Sequence, residues 1–199
     1  MRDAAAPPTG VPGFVNIVTW EERAMMERRI GHTTVRLVTG DITQQDVDGF
    51  VFDITEDAKL GAGLGAAIQQ RGGVAIQKAL DAIGRVGPCE AVATEAGLLP
   101  ADWIIHTNGP KFREEDEDVK LRRATQAALE KAEERGVRRL AIPPLGTGLY
   151  QVPVDLCAAA MVETIGTHLR NGSTLDEVVI VAPDPREYGP FHARLEEGA

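Results

Sequence analysis

Two short runs of small residues have types and spacing suited to holding an anion. Leu60-Gly61-Ala62-Gly63-Leu64-Gly65 leads into a helix-forming stretch, and Gly146-Thr147-Gly148-Leu149-Tyr150 follows an apolar one. Without bulky side chains the backbone can approach a phosphate closely, and a helix N-terminus adds unpaired N–H donors and the positive end of a dipole. The glycines flanking Thr147 allow successive N–H groups to aim at one point. Each run alone also reads as a structural turn. Neither has the G-x-x-x-x-G-K-[ST] form of a triphosphate loop. The first comes too late in the chain for a dinucleotide-binding first turn.

Polar residues cluster near these runs. Asp41 ends the first strand pattern, where its carboxylate serves either as acceptor for an exocyclic amine of a base or as the cap of a turn. Asp53 ends a second apolar run, Gly49 to Ile54, and reads either as a carboxylate that orients water or as another cap. Thr55, Glu56, Asp57 and Lys59 follow as polar groups beside the first glycine run, the last three also readable as a solvated loop. His106, inside an apolar strand, fits a hydrogen-bonded core histidine better than a catalytic one. Thr147 suits phosphate binding rather than nucleophilic attack. Cys89 and Cys157 lack any ligand spacing, so buried free thiols in a reducing cytosol are expected and no metal site is.

The elements that position these residues alternate. Thr19-Trp20-Glu21-Glu22 has the form of a capping box and predicts a short helix to about Ile30. Strands are expected at 35–39, 49–54, 91–94, 103–107, 139–143 and 178–182. Helices are expected after the first glycine run, over 74–83, up to Glu134 behind a charged stretch 114–120, from Pro153 to about Leu169, and briefly at the end. Strands alternating with helices imply a three-layer α/β/α domain with a mixed, largely parallel sheet. Residues 1–31 read as an arm with a short helix, and 32–199 as one domain.

Composition narrows the function. With 43% hydrophobic and 26% charged residues, the 199-residue chain has the balance of a globular domain. A net charge of −9 argues against a general nucleic-acid grip, though not against a small anion held by backbone N–H groups. No apolar run reaches the roughly 18 residues of a membrane span. The opening residues, Met1 to Pro12, lack the apolar core of a signal peptide, so a cytoplasmic location is expected.

Taken in order, Gly40-Asp41-Ile42-Thr43, Gly61-Ala62-Gly63, Ile104-Ile105-His106-Thr107-Asn108-Gly109-Pro110 and Pro143-Pro144-Leu145-Gly146-Thr147-Gly148-Leu149-Tyr150 resemble the macro domain family. The resemblance runs from Thr34 to His192 and implies an ADP-ribose ligand with no further cofactor. It implies that Asp41 contacts the adenine amine and that Ile42 adds a backbone contact. Gly61, Ala62, Gly63 and Leu64, with Gly146 through Tyr150, would clasp the pyrophosphate and the distal ribose. The aromatic that often stacks on adenine is absent near Pro183, leaving Pro183 or Tyr188 to replace part of it.

The family's hydrolytic pattern is altered. The N-A-A-N asparagines of many members fall on Phe52 and Thr55, and the loop aspartate falls on Gly65. The stretch Ile54 to Gly63 is similar to the branch containing terminal ADP-ribose glycohydrolases. That branch uses a strand lysine and an aspartate after the second loop; here Thr94 or Glu95 and Tyr150 or Gln151 stand near those positions. The resemblance thus implies ADP-ribose binding within ADP-ribosylation and NAD metabolism. It further implies hydrolysis of a conjugate such as O-acetyl-ADP-ribose, ADP-ribose 1″-phosphate or an ADP-ribosylated macromolecule, with Asp53 and Thr55 as catalytic candidates. The alternative is a non-catalytic reader or scavenger.

Overall fold

Apolar side chains alternate along the central strands and split the core in two. The computed structural model describes residues 25–111, 113–148 and 150–198. In chain order the elements are β1 (Met25–Ile30), β2 (Thr33–Thr39), a 3-10 turn (Ile42–Gln44), β3 (Gly49–Asp53), α1 (Leu64–Gly72), α2 (Val74–Ile83) and β4 (Ala91–Glu95). There follow β5 (Trp103–Thr107), α3 (Glu117–Glu134), β6 (Arg139–Ile142), α4 (Val154–Arg170), β7 (Glu177–Ala182) and α5 (Pro185–Glu197).

The seven strands form one sheet in the order β1-β2-β7-β6-β3-β5-β4. The outermost pairs, β1 with β2 and β4 with β5, are antiparallel, and every pairing between them is parallel. Successive residues of a strand point to opposite faces. Val51, Ile105, Val178 and Ile180 therefore join the core under α3, α4 and α5. Their neighbours Phe50, Phe52, Ile104, Val179 and Val181 join the core under α1 and α2. The result is a three-layer α/β/α arrangement with a mixed sheet, as expected.

One expected element is different. Met25–Ile30, read as the end of a short helix, is a strand paired with β2 from Met25–Val38 to Ile30–Thr33. Helix-favouring Met, Glu and Arg side chains are overridden by the open edge of the sheet. Met26 and Ile30 would share a helix face, yet they also share a strand face, and there Ile30 is buried while Met26 packs on the core. The capping-box residues, and the rest of the expected arm up to residue 24, lie outside the described residues. The charged stretch 114–120 also departs, since its last four residues already form the first turn of α3.

His106 sits fully buried in β5, its Nε2 atom 2.8 Å from the Thr94 hydroxyl of β4, with the Phe52 ring edge-on at 6.0 Å. This is the core histidine expected, and it places Thr94 in the core rather than at a ligand. Burial alone pushes the imidazole pKa down to about 3 from 6.5. The unfolded chain therefore binds a proton that the native state refuses. That contribution is fully present above about 6.5 and is lost as pH falls toward 3, at about 1.4 kcal/mol per pH unit within the window. Replacing the pair together, Thr94→Val with His106→Leu, should flatten the acid side of the stability curve. Denaturant unfolding from pH 7 to 4 tests this, and an unchanged slope would refute it.

Candidate functional site

At the carboxyl ends of β2, β3, β6 and β7, where an open α/β sheet places its ligand, the chain leaves a cavity of about 840 Å³. Each of these strands contributes the residues that follow it. Gly40, Asp41 and Ile42 come from β2, and Asp53 and Thr55 from β3. Pro143 and Pro144 come from β6, and Val181 and Pro183 from the end of β7 and just after it. The first glycine run lines the cavity through Gly61, Ala62, Gly63 and Leu64, and the second through Gly146, Thr147, Gly148 and Tyr150. The sequence-derived ligand residues thus meet in one place, Leu149 alone lying outside the described residues. Tyr188 is not on the wall; it packs against the core and tilts over His192 at 5.6 Å.

Asp41 is held ionised. It caps the 3-10 turn, its Oδ1 accepting from the Thr43 N–H at 2.9 Å and the Thr43 hydroxyl at 2.7 Å. Arg71, from the last turn of α1, donates to Oδ2 at 2.5 Å, and Gln44 does so at 3.1 Å. Burial pushes the carboxyl up, but the Thr43 and Arg71 donors outweigh it and hold the pKa at about 2. Both the base-reading role and the capping role anticipated for this residue are compatible with that geometry.

The first loop runs through Gly61 (φ +67) and Gly63 (φ +60), the latter capping α1. Both sites face open space, so their glycines answer to backbone conformation rather than crowding. Gly65 is the reverse case. A Cβ there would stand 1.6 Å from the Leu60 carbonyl oxygen, so the loop packs where a side chain would be.

Asp53 occupies the junction between loops. Its Oδ1 accepts from the Gly109 N–H at 3.2 Å and its Oδ2 from the Gly146 N–H at 2.9 Å, linking the segment after β5 to the second loop. Burial pushes its pKa up to about 6 despite those two donors. Thr55 donates to Asp57 at 2.5 Å, Glu56 pairs with Arg85, and Lys59 pairs with Asp81 at 2.5 Å while also lining the cavity.

Glu187 of α5 is a wall residue that the sequence did not single out. One of its carboxylate oxygens is buried with no hydrogen-bond partner. Burial pushes its pKa up, partly opposed by the neighbouring Thr147 hydroxyl. Nothing in the spacing of a terminal helix signals that one of its carboxylates turns into a cleft. Phe52, at the position of a family asparagine, also lines the cavity and supplies an apolar surface.

The family model described as "Macro domain" matches residues 54–161. A macro domain-containing protein of Streptomyces coelicolor is 39% identical over 170 residues, covering 82% of this chain and 99% of its own. A Pantoea vagans protein named O-acetyl-ADP-ribose deacetylase 1 is 32% identical over 160 residues, covering 77% of this chain and 94% of its own. An Oceanobacillus iheyensis macrodomain solved with ADP superposes with a TM-score of 0.83 at 25% identity, covering 87% of this chain and 96% of that one. From the matched segment, the relatives and the shared sheet together, the chain belongs to the macro domain family.

Proposed function

We propose that the cavity binds ADP-ribose. The observation that carries this reading is that three of the four motif segments, from distant parts of the chain, line one cleft at the carboxyl ends of adjacent strands, and the fourth is tied to it by the Gly109 N–H donating to Asp53. Lys59 is the one cation among the described residues on its wall, so a diphosphate would be held chiefly by backbone N–H groups and the α1 N-terminus. The Gly146 N–H is engaged by Asp53, which leaves the donors of Thr147 and Gly148 to face the phosphates. An adenine amine would reach Asp41 by replacing an exposed donor, Gln44 or Arg71.

Calorimetric titration with ADP-ribose, AMP and ribose 5-phosphate tests the reading, and absence of heat with ADP-ribose would sink it. Asp41→Ala should weaken ADP-ribose binding at least tenfold while changing ribose 5-phosphate binding little. Equal losses on the two ligands would contradict the adenine assignment.

Hydrolysis of an ADP-ribose conjugate is a second reading, favoured by the placement of Asp53 in the cavity wall. A carboxyl whose pKa lies near 6 is suited to take a proton from water at neutral pH. Positioning of a substrate anchored through its diphosphate would contribute the rest, with Thr55 beside it on the wall. Incubation with O-acetyl-ADP-ribose, ADP-ribose 1″-phosphate and a mono-ADP-ribosylated protein decides. Unchanged substrates at high protein concentration leave a reader or scavenger. Both forms of the proposal fit a reducing, cytoplasmic setting, in which Cys157, buried as expected, and Cys89, only half-buried beside α3, stay free thiols.

A further inference from the structure

Glu187 is a carboxylate on the wall of a cavity proposed to hold an anion, which calls for a reason. It lies in the first turn of α5, shortly after β7, and β7 pairs with the strand that leads into Asp41. Its carboxylate is within hydrogen-bond reach of the Thr147 hydroxyl on the second glycine loop. It therefore stands between the base-reading end and the phosphate-holding loop. In an adenosine diphosphate ligand the group between base and phosphates is a ribose with two adjacent hydroxyls. The Glu187 side chain lines the cleft there, and one of its carboxylate oxygens is buried with no hydrogen-bond partner. The nearest cation along the helix, Arg186, is turned to Asp184 at 2.7 Å, so the charge presented to the cleft here is negative.

Resting on the ADP-ribose reading, we propose that Glu187 determines specificity by accepting hydrogen bonds from the hydroxyls of the adenine-side ribose and by excluding ligands phosphorylated at its 2′ position. A carboxylate accepts from a hydroxyl and repels a phosphate, so one side chain both attracts the right ligand and rejects the wrong one. Acidic residues discriminate the 2′-hydroxyl from the 2′-phosphate in the same way in dinucleotide-binding folds.

The test is titration of the full chain and its Glu187→Gln and Glu187→Leu variants with ADP-ribose and with ADP-ribose 2′-phosphate, folding being checked by thermal unfolding. The wild type should favour ADP-ribose at least tenfold. Glu187→Gln should hold ADP-ribose within about threefold and lower that preference at least tenfold, its amide accepting and donating without charge. Glu187→Leu should lose ADP-ribose affinity about tenfold. The same preference in wild type and Glu187→Gln would overturn the assignment of Glu187 alone. No binding of ADP-ribose by the wild type would overturn the reading beneath it.

Discussion

Gly65→Ala should unfold well below the wild-type temperature, and Gly65→Asp should do so without gaining hydrolytic activity. The sequence resemblance places the loop aspartate of hydrolytic macro domains at Gly65, which makes it the obvious position at which to restore chemistry. The backbone forbids it as it stands, since a Cβ would stand 1.6 Å from the Leu60 oxygen and 2.4 Å from its carbonyl carbon. Those are main-chain atoms with no rotamer to change, so either the loop or the start of α1 must move. Overpacking of this kind typically costs about 1–3 kcal/mol and more where backbone is displaced. We expect at least about 3 kcal/mol, which for a domain of this size lowers the melting temperature by roughly 10 °C. Gly148→Ala is the control. Its Cβ meets nothing within 4 Å and its φ is not in the left-handed region, so stability should change by less than about 1 kcal/mol. Thermal unfolding of the three variants decides, and a Gly65→Ala protein as stable as the wild type would refute the packing account.

Asp53→Ala should lose both stability and ligand affinity. Gly109 and Gly146 are buried, and removing the carboxylate orphans both of their N–H groups. At about 1–3 kcal/mol for each unsatisfied buried donor, a loss of about 2–6 kcal/mol is expected at pH 5. Asparagine should rescue poorly, because its amide turns a donor toward one of the two N–H groups. Affinity for ADP-ribose should fall at least tenfold, since Gly146 opens the loop proposed to face the phosphates. The pH dependence has a definite sign. A carboxyl raised from 3.8 to about 6 favours the native state below about 4, and that contribution is lost as pH rises through about 6. The stability gap between wild type and Asp53→Ala should therefore narrow from pH 4 to pH 7. Chemical denaturation across that range checks it, and a gap that widens would show the ionised form to be the one stabilised.

Much of this arrangement is legible before folding. Val178 to Ala182 is a continuous apolar run because the strand is covered on both faces, and the glycine runs mark loops because Gly61, Gly63 and Gly146 adopt positive φ. Asp41 and the two loops converge as their order along the chain implies. Met25–Ile30 was not legible, because its residues favour a helix locally and only the unpaired edge of β2 draws them into a strand. The place of Glu187 was not legible either. Whether a carboxylate in a first helical turn faces water or a cleft depends on the angle at which that helix leaves the sheet. Asp53 was found by its place at a strand end, yet its bonds span 56 and 93 residues of chain and leave no local signature.

The division of the core by the sheet has a consequence for how a bound ligand would act. The first loop and α1 rest on one hydrophobic layer, and the second loop, α4 and α5 rest on the other. A ligand in the cleft would straddle the two and act as a rivet between them. Opening of either layer would empty the site, so occupancy would bias both toward their closed forms and couple the opening of one to that of the other.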